Sequence, residues 1–326
     1  MTALTPSPEL VARFRANFEA LAGLPSRLGV AVSGGPDSLA LLLLAAAAYP
    51  GRVAAATVDH GLRRESGWEA LHVEDICNRL ACPHSILSVQ VPQGRSGPQA
   101  EARSVRYGAL VAWATDAHIP LLATGHQQDD QAETLLMRLA RGSGVAGLGG
   151  IRPVRREAAL SVVRPLLGWS KAELVHLVAS SGIEAVDDPS NRDTKFDRTA
   201  ARTLLAANPM LDPARLARSA TAAREAEDAL EWATDQLLED RLTTQGGEWR
   251  FDPSGLPAAL KRRLLVRVLS QVREAHGLAT PTSSGPEQDR LLGALESGAT
   301  ATLAEVMARG GPVWRFRLAP PRRGAA

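Results

Sequence analysis

Cysteine is almost missing from this 326-residue chain, which has only Cys77 and Cys82. Five positions apart and without a C-x-x-C partner, they provide neither a disulfide framework nor a zinc ribbon, and such usage fits a reducing compartment. Cys77 reads as a core position of a helix. Lysine is nearly as scarce: Lys171, Lys195 and Lys261 are the only ones, so arginine supplies most of the positive charge and the net value of +2 understates it. Arginine suits phosphate through its bidentate fork, although a G+C-rich genome produces the same bias. The longest apolar run, 39–48, is about ten residues, roughly half a membrane span. It is internal and follows an acid, so neither a signal peptide nor a membrane partner is expected. A buried helix in a cytoplasmic protein is the expectation. With 45% hydrophobic and 22% charged residues, the chain can fill the cores of two domains. No internal repeat is evident.

The most informative segment is Ser33-Gly34-Gly35-Pro36-Asp37-Ser38. Val30 and Val32 lead into it and the apolar run leaves it, giving strand, glycine-rich loop and helix N-terminus. Free backbone N–H groups and the helix dipole favour a phosphate in that geometry. Adjacent glycines allow a sharp bend and close backbone approach to an anion. Ser33 and Ser38 add hydroxyl donors, and Asp37 offers a carboxylate to a nucleotide-bound Mg²⁺. The loop lacks the lysine of G-x-x-x-x-G-K-[ST] and is not G-x-G-x-x-G. It resembles the S-G-G-x-D-S loop of N-type ATP pyrophosphatases, which cleave ATP between the α- and β-phosphates.

Strand-like segments at 28–32, 53–58, 85–91 and 120–124 alternate with helical ones at 38–48, 66–80, 99–117 and 129–141. This predicts βαβ units and a parallel sheet covered on both faces, with ligands beyond the C-terminal strand ends. Ser33, Asp59-His60 and Gly125-His126 each follow a strand directly. The glycines of 141–150 indicate a mobile or closely packed loop, and Ser170 with Glu173 forms a capping box. A charged helix at 212–241 is followed by Trp249-Arg250-Phe251, a helix at 257–276, a linker at 280–286 and two short strand candidates near 302–306 and 313–318. Trp249 and Trp314 read as core residues.

A second cluster is Thr124-Gly-His-Gln-Gln-Asp-Asp-Gln-Ala-Glu-Thr134. Asp130 and Glu133, three apart on a helix, share a face that fits Mg²⁺ or an ammonium group. Acids in a first turn also serve the helix dipole, but three of them exceed that need. Taken together with Val58-Asp-His-Gly-Leu-Arg63, Ala102-Arg-Ser-Val-Arg-Tyr107, Arg141-Gly-Ser-Gly144 and Asp187-Asp-Pro-Ser-Asn-Arg-Asp193, the chain resembles the tRNA(Ile)-lysidine synthetase family over about residues 25–205. Phe196, Arg198 and Arg202 extend the match.

The resemblance implies an α/β fold: a parallel-sheet PP-loop domain, adenine nucleotide α-hydrolase-like, over residues 1–207, then a smaller, mainly helical domain for tRNA and substrate over 208–326. It implies ligation of free L-lysine to C2 of the wobble cytidine of tRNA(Ile) with a CAU anticodon, through an adenylated intermediate, with ATP and Mg²⁺. Ser33, Gly34, Gly35, Pro36, Asp37 and Ser38 would bind ATP, Asp37 also meeting the metal. Arg106, His126, Asp130 and Glu133 would join Asp37 in catalysis. Arg103, Asp130, Glu133, Arg198 and Arg202 would contact substrate, the two acids taking the lysine ammonium. The chain departs from the family at Gln127, where relatives often have histidine, and at Thr199, where the pattern has asparagine. Lys261, Arg262, Arg263 and the arginines of 315–323 are candidate tRNA phosphate contacts. The assembly state is open, a homodimer being one option. Alternative readings are another adenylating tRNA-modifying enzyme, such as a thiolase, and a non-catalytic nucleotide-sensing RNA-binding module.

Overall fold

Short runs of small and β-branched residues form a parallel sheet, because only such runs can be buried on both faces. The computed structural model describes residues 4–59, 65–90, 98–157, 160–186, 197–280 and 285–320. The chain divides into units Met1–Arg224 and Glu225–Ala326, a boundary inside a helix and later than the expected 207/208. In the first unit the order is α1 (Pro8–Ala22), β1 (Leu28–Ala31), α2 (Pro36–Ala48), β2 (Val53–Asp59), α3 (Glu65–Arg79), β3 (His84–Ser88), α4 (Pro98–Asp116) and β4 (Leu121–Ala123). Then come α5 (Gln128–Ala140), α6 (Val145–Leu148), β5 (Val154–Glu157), β6 (Leu160–Val163), α7 (Lys171–Ser180), α8 (Asp197–Ala207) and α9 (Pro213–Arg241), which crosses the boundary.

The sheet order is β3-β2-β1-β4-β6-β5, parallel except for the antiparallel edge strand β5. From β1 the chain winds outward through β2 and β3, then returns to add β4 on the other side of β1. The order therefore reverses between β1 and β4, and a crevice opens beyond their C-terminal ends. One face is covered by α1, α2 and α7, with Phe14, Phe18, Leu41, Leu44 and Trp169 buried. The other carries Leu110, Ala114 and Ile119 against Ala54, Ala56, Leu122 and Val162. Helix α1 is part of this core, because Phe14 and Phe18 are four apart on it and face inward together. The 141–150 segment is exposed at Arg141, Gly142 and Gly144–Ala146, contains the one-turn α6, and packs closely only at its end, where Gly149 and Gly150 are buried.

The second unit is less helical than expected. After α9 come β7 (Leu242–Gln245), β8 (Glu248–Phe251), α10 (Ala258–Glu274), α11 (Gly285–Glu296), β9 (Thr300–Leu303), β10 (Val306–Arg309) and β11 (Trp314–Leu318). Its strands form an antiparallel sheet, β7-β8-β11-β10-β9. One face, with Phe251, Trp314 and Phe316, shares a core with Leu264, Val268 and Leu295 of α10 and α11. Two-residue turns join β7 to β8 and β9 to β10, with φ of 58° and 76° at Gly246 and Gly247 and 48° and 62° at Ala304 and Glu305. Paired positive φ values give the turn whose twist matches a hairpin. Among the described residues, no helix is long and apolar enough to cross a membrane.

Candidate active site

The loop after β1 is shaped by its glycines. Gly34 has φ +82°, and a Cβ there would stand 3.0 Å from Val186 Cγ2. The Val186 N–H donates to the Gly34 carbonyl at 2.9 Å, closing the loop from behind. The Ser33 N–H donates to Ser38 Oγ at 3.1 Å, and that hydroxyl donates to the Gly35 carbonyl at 2.9 Å. Gly35 is the N-cap of α2 without a side-chain bond, and Pro36 has no N–H to offer. The N–H groups of the first turn are thus left to an anion, as the dipole favours.

Asp37 is in this first turn. One of its oxygens, Oδ1, is buried with no hydrogen-bond partner. Burial is the main reason that its carboxyl is pushed up to about 6; Asp130 and Asp129 push the same way, and Lys171 and Arg202 oppose them. An orphaned, buried, hard oxygen beside a phosphate-binding turn fits Mg²⁺, which favours one or two carboxylates together with substrate phosphates.

The turn after β4 touches this loop directly. A Cβ on Gly125 would lie 3.0 Å from the backbone carbon and oxygen of Asp37, so only glycine lets the strands β1 and β4 present adjoining loops. Thr124 Oγ1 and His126 Nδ1 are 3.0 Å apart. Gln127 explains its departure from the family pattern by capping α5: its side chain accepts from the Asp129 N–H, and its own N–H donates to Asp130 Oδ2 at 3.0 Å. The Gln128 N–H reaches the Trp169 carbonyl at 2.9 Å, and the Lys171 N–H donates to Asp129 Oδ1 at 3.3 Å. The N-termini of α2, α5 and α7 therefore meet around Asp37.

The acidic face of α5 is not open. Arg198 donates through Nε to Glu133 Oε2 at 2.9 Å and through Nη2 to Asp130 Oδ1 at 3.1 Å, while Arg202 Nε reaches Glu133 Oε1 at 2.8 Å. The Glu133 side chain is only 2% exposed against 16% for Asp130, so these pairs are what allow Glu133 to be charged inside the protein. Hydrogen bonding to Glu133 raises the pKa of Arg202 further. Spacing singles out Asp130 and Glu133, and the resemblance Arg198 and Arg202, but neither says that they bind one another.

Lys171, which no motif in the sequence ties to the site, acts electrostatically on Asp37. Its signal was the capping box at Ser170 and Glu173, which the structure contains and which fixes Lys171 as the first residue of α7. Arg106 is on α4, its guanidinium 6.0 Å from the Tyr107 ring centroid. The Arg103 side chain, His60, the 187–196 segment and Arg322 and Arg323 lie outside the described residues. Cys77 and Cys82 are buried in the core.

The cations of α10 differ from expectation. Lys261 pairs with Glu296, Arg262 with Asp289, Arg263 with Glu227 and Glu231, and Arg267 with Glu231. Acids of α9 (Glu227 and Glu231) and of α11 (Asp289 and Glu296) neutralise them, so this helix is not a free phosphate-binding row.

The PP-loop domain family model, ATP_bind_3, matches residues 9–208. The tRNA(Ile)-lysidine synthase of Zymomonas mobilis is 40% identical, over 93% of this chain and 91% of the relative. That of Novosphingobium aromaticivorans is 43% identical, over 95% and 94%. The U34-tRNA thiolase NcsA from Methanococcus maripaludis shares the fold, with a TM-score of 0.55 and 16% identity over 66% of this chain and 79% of that one. With the PP-loop match across the unit that holds the site, and such relatives along most of the sequence, the chain belongs to the tRNA(Ile)-lysidine synthase family of PP-loop proteins.

Proposed function

We propose that the protein uses ATP to adenylate the C2 oxygen of the wobble cytidine in tRNA(Ile) with a CAU anticodon, releasing pyrophosphate. The ε-amine of lysine then attacks C2, AMP leaves, and lysidine is formed. The observation that carries this reading is the buried, unpartnered Asp37 oxygen at the uncapped end of α2, against the turn that begins the acidic face of α5. The kinship with lysidine synthases supports it.

The exposed N–H groups after Gly35 and the hydroxyls of Ser33 and Ser38 hold the phosphates. Asp37 would hold Mg²⁺, which would supply positive charge against the leaving pyrophosphate. His126, oriented by Thr124, meets the phosphate or the leaving oxygen. Arg103 and Arg106 face phosphate or the activated cytidine. The lysine ammonium docks on Asp130, the more exposed acid, by displacing Arg198, while Glu133 keeps Arg202. Carboxylates hold the ammonium close to the activated base until it loses its proton, and proximity then replaces an encounter in solution. The protein works in the cytoplasm.

The test is multiple-turnover pyrophosphate release, which should require both tRNA(Ile) and lysine. Release driven by a sulfur donor in place of lysine would make the protein a thiolase, for which two core cysteines are poor equipment. ATP binding without any release would leave a nucleotide-sensing module.

A further inference from the structure

Within the second unit, and among the described residues, one face of the sheet is not packed against a helix. In this sheet, Arg309 pairs in register with Arg315, and Arg315 with Arg250, so three arginines form a row across β10, β11 and β8. Arg317 lies two residues along from Arg315 and is opposite Met307. Alternation turns these side chains away from the core that holds Phe251, Trp314 and Phe316. Arg309, Arg315 and Arg317 are exposed. Glu248, an acid on this face, is already bonded to Arg250.

Like charges placed directly opposite on neighbouring strands destabilise a sheet. This sheet nonetheless sets arginines side by side, while every cation named on α10 has a carboxylate in contact. The contrast is informative because both sets of cations belong to one unit. The helical cations hold the unit together; on the sheet Arg250 is paired with Glu248, whereas Arg309, Arg315 and Arg317 face water. Strands are ~4.8 Å apart, so the row of three spans about 10 Å. Threonines at Thr300 and Thr302 border it on β9 with hydroxyl donors. A row of planar, bidentate donors with hydroxyls at its edge suits the phosphates of a nucleic-acid backbone.

We propose that this outer sheet face, through Arg309, Arg315 and Arg317, is a docking surface for the RNA backbone and contributes affinity without reading sequence. The identification of the RNA as tRNA rests on the function proposed above. It keeps Arg315 and Arg317 among the expected phosphate contacts, adds Arg309 and drops the cations of α10.

The experiment compares the full-length protein with a variant carrying Arg309→Gln, Arg315→Gln and Arg317→Gln. Binding of a tRNA(Ile) transcript is measured between about 50 and 200 mM salt. The variant should keep its melting temperature and ATP binding. Its dependence of log affinity on log salt should flatten by about one unit for each arginine lost, and its affinity near 150 mM should fall on the order of tenfold or more. Arg262→Gln, with its carboxylate partner Asp289, should leave the salt slope unchanged. Parental affinity and slope in the triple variant would overturn the proposal. So would an unchanged tRNA slope with lost binding to anionic phosphatidylserine vesicles, since the face would then serve a membrane. Pyrophosphate release by the parent protein separates the two readings. Normal tRNA- and lysine-dependent release with an unaltered slope removes only the surface, whereas a flattened slope without release removes only the enzymatic assignment.

Discussion

Replacing Asp37 with asparagine should stabilise the ligand-free protein while abolishing adenylation. Burial, the largest influence, raises the Asp37 carboxyl from 3.8 to about 6. A carboxyl raised on folding favours the fold below the unfolded value and loses that contribution as pH rises through the folded one. The window here therefore runs from about pH 4 to about pH 6, and above it the charged form opposes folding. A shift of about two units is equivalent to ~3 kcal/mol as an upper bound. Residual solvent contact lowers this to about 1–2 kcal/mol. Asparagine has nearly the same shape and no charge, so it removes this penalty. With EDTA and no nucleotide, the variant should melt about 2–6 °C above the parent near pH 7.5. Near pH 5 the gap should shrink to roughly half, because the folded parent is already largely protonated. Mg²⁺ and ATP should reverse the order, since ligand stabilises only the form that binds it. A variant that melts below the parent near neutral pH, or a gap of equal size at both pH values, would refute the reasoning.

Glu133→Gln should cost about 2–3 kcal/mol in chemical denaturation, because two arginines lose their buried counter-charge, and should raise the KM for lysine more than that for ATP. An Asp130→Asn variant with an unchanged lysine KM would leave these acids purely structural. Gly125→Ala should destabilise by about 1–3 kcal/mol and weaken ATP binding, because the new methyl meets the Asp37 backbone; isothermal titration would show parental affinity if the contact is relieved elsewhere. Arg263→Ala should cost about 2–4 kcal/mol by stranding the buried Glu227, yet leave the salt slope of tRNA binding as it was.

The parallel sheet was legible because its strands are continuous apolar runs with no polar face to confuse the period, and β1, β2 and β4 come within a residue or two of expectation. The loop at Ser33–Ser38 and the acids of α5 were legible for a different reason: their residue types are tied to their chemistry. Edge strand β5, with two arginines among four residues, has no such run. Nor did β9 and β10 announce their hairpin, since Ala304-Glu305 occupies a left-handed turn without glycine or asparagine. Gly246-Gly247 is the turn signal of the β7–β8 hairpin. The clasp of Arg198 and Arg202 on Glu133 joins residues more than sixty positions apart, a relation that local spacing does not encode. The same holds for α10, whose basic stripe looked like an RNA surface until α9 and α11 brought their acids to it.

Helix α2 is covered on every side, with Leu39, Leu41, Leu42, Leu43 and Leu44 all at 0% exposure. Its amides should exchange with deuterium only when the whole first unit opens. The nucleotide loop is thus mounted on material that has no independent motion, and its conformational freedom is surrendered at folding rather than at each encounter with ATP. Truncating a leucine in α2 would disable the enzyme as surely as altering Asp37, but stabilising changes elsewhere could restore the first variant and never the second.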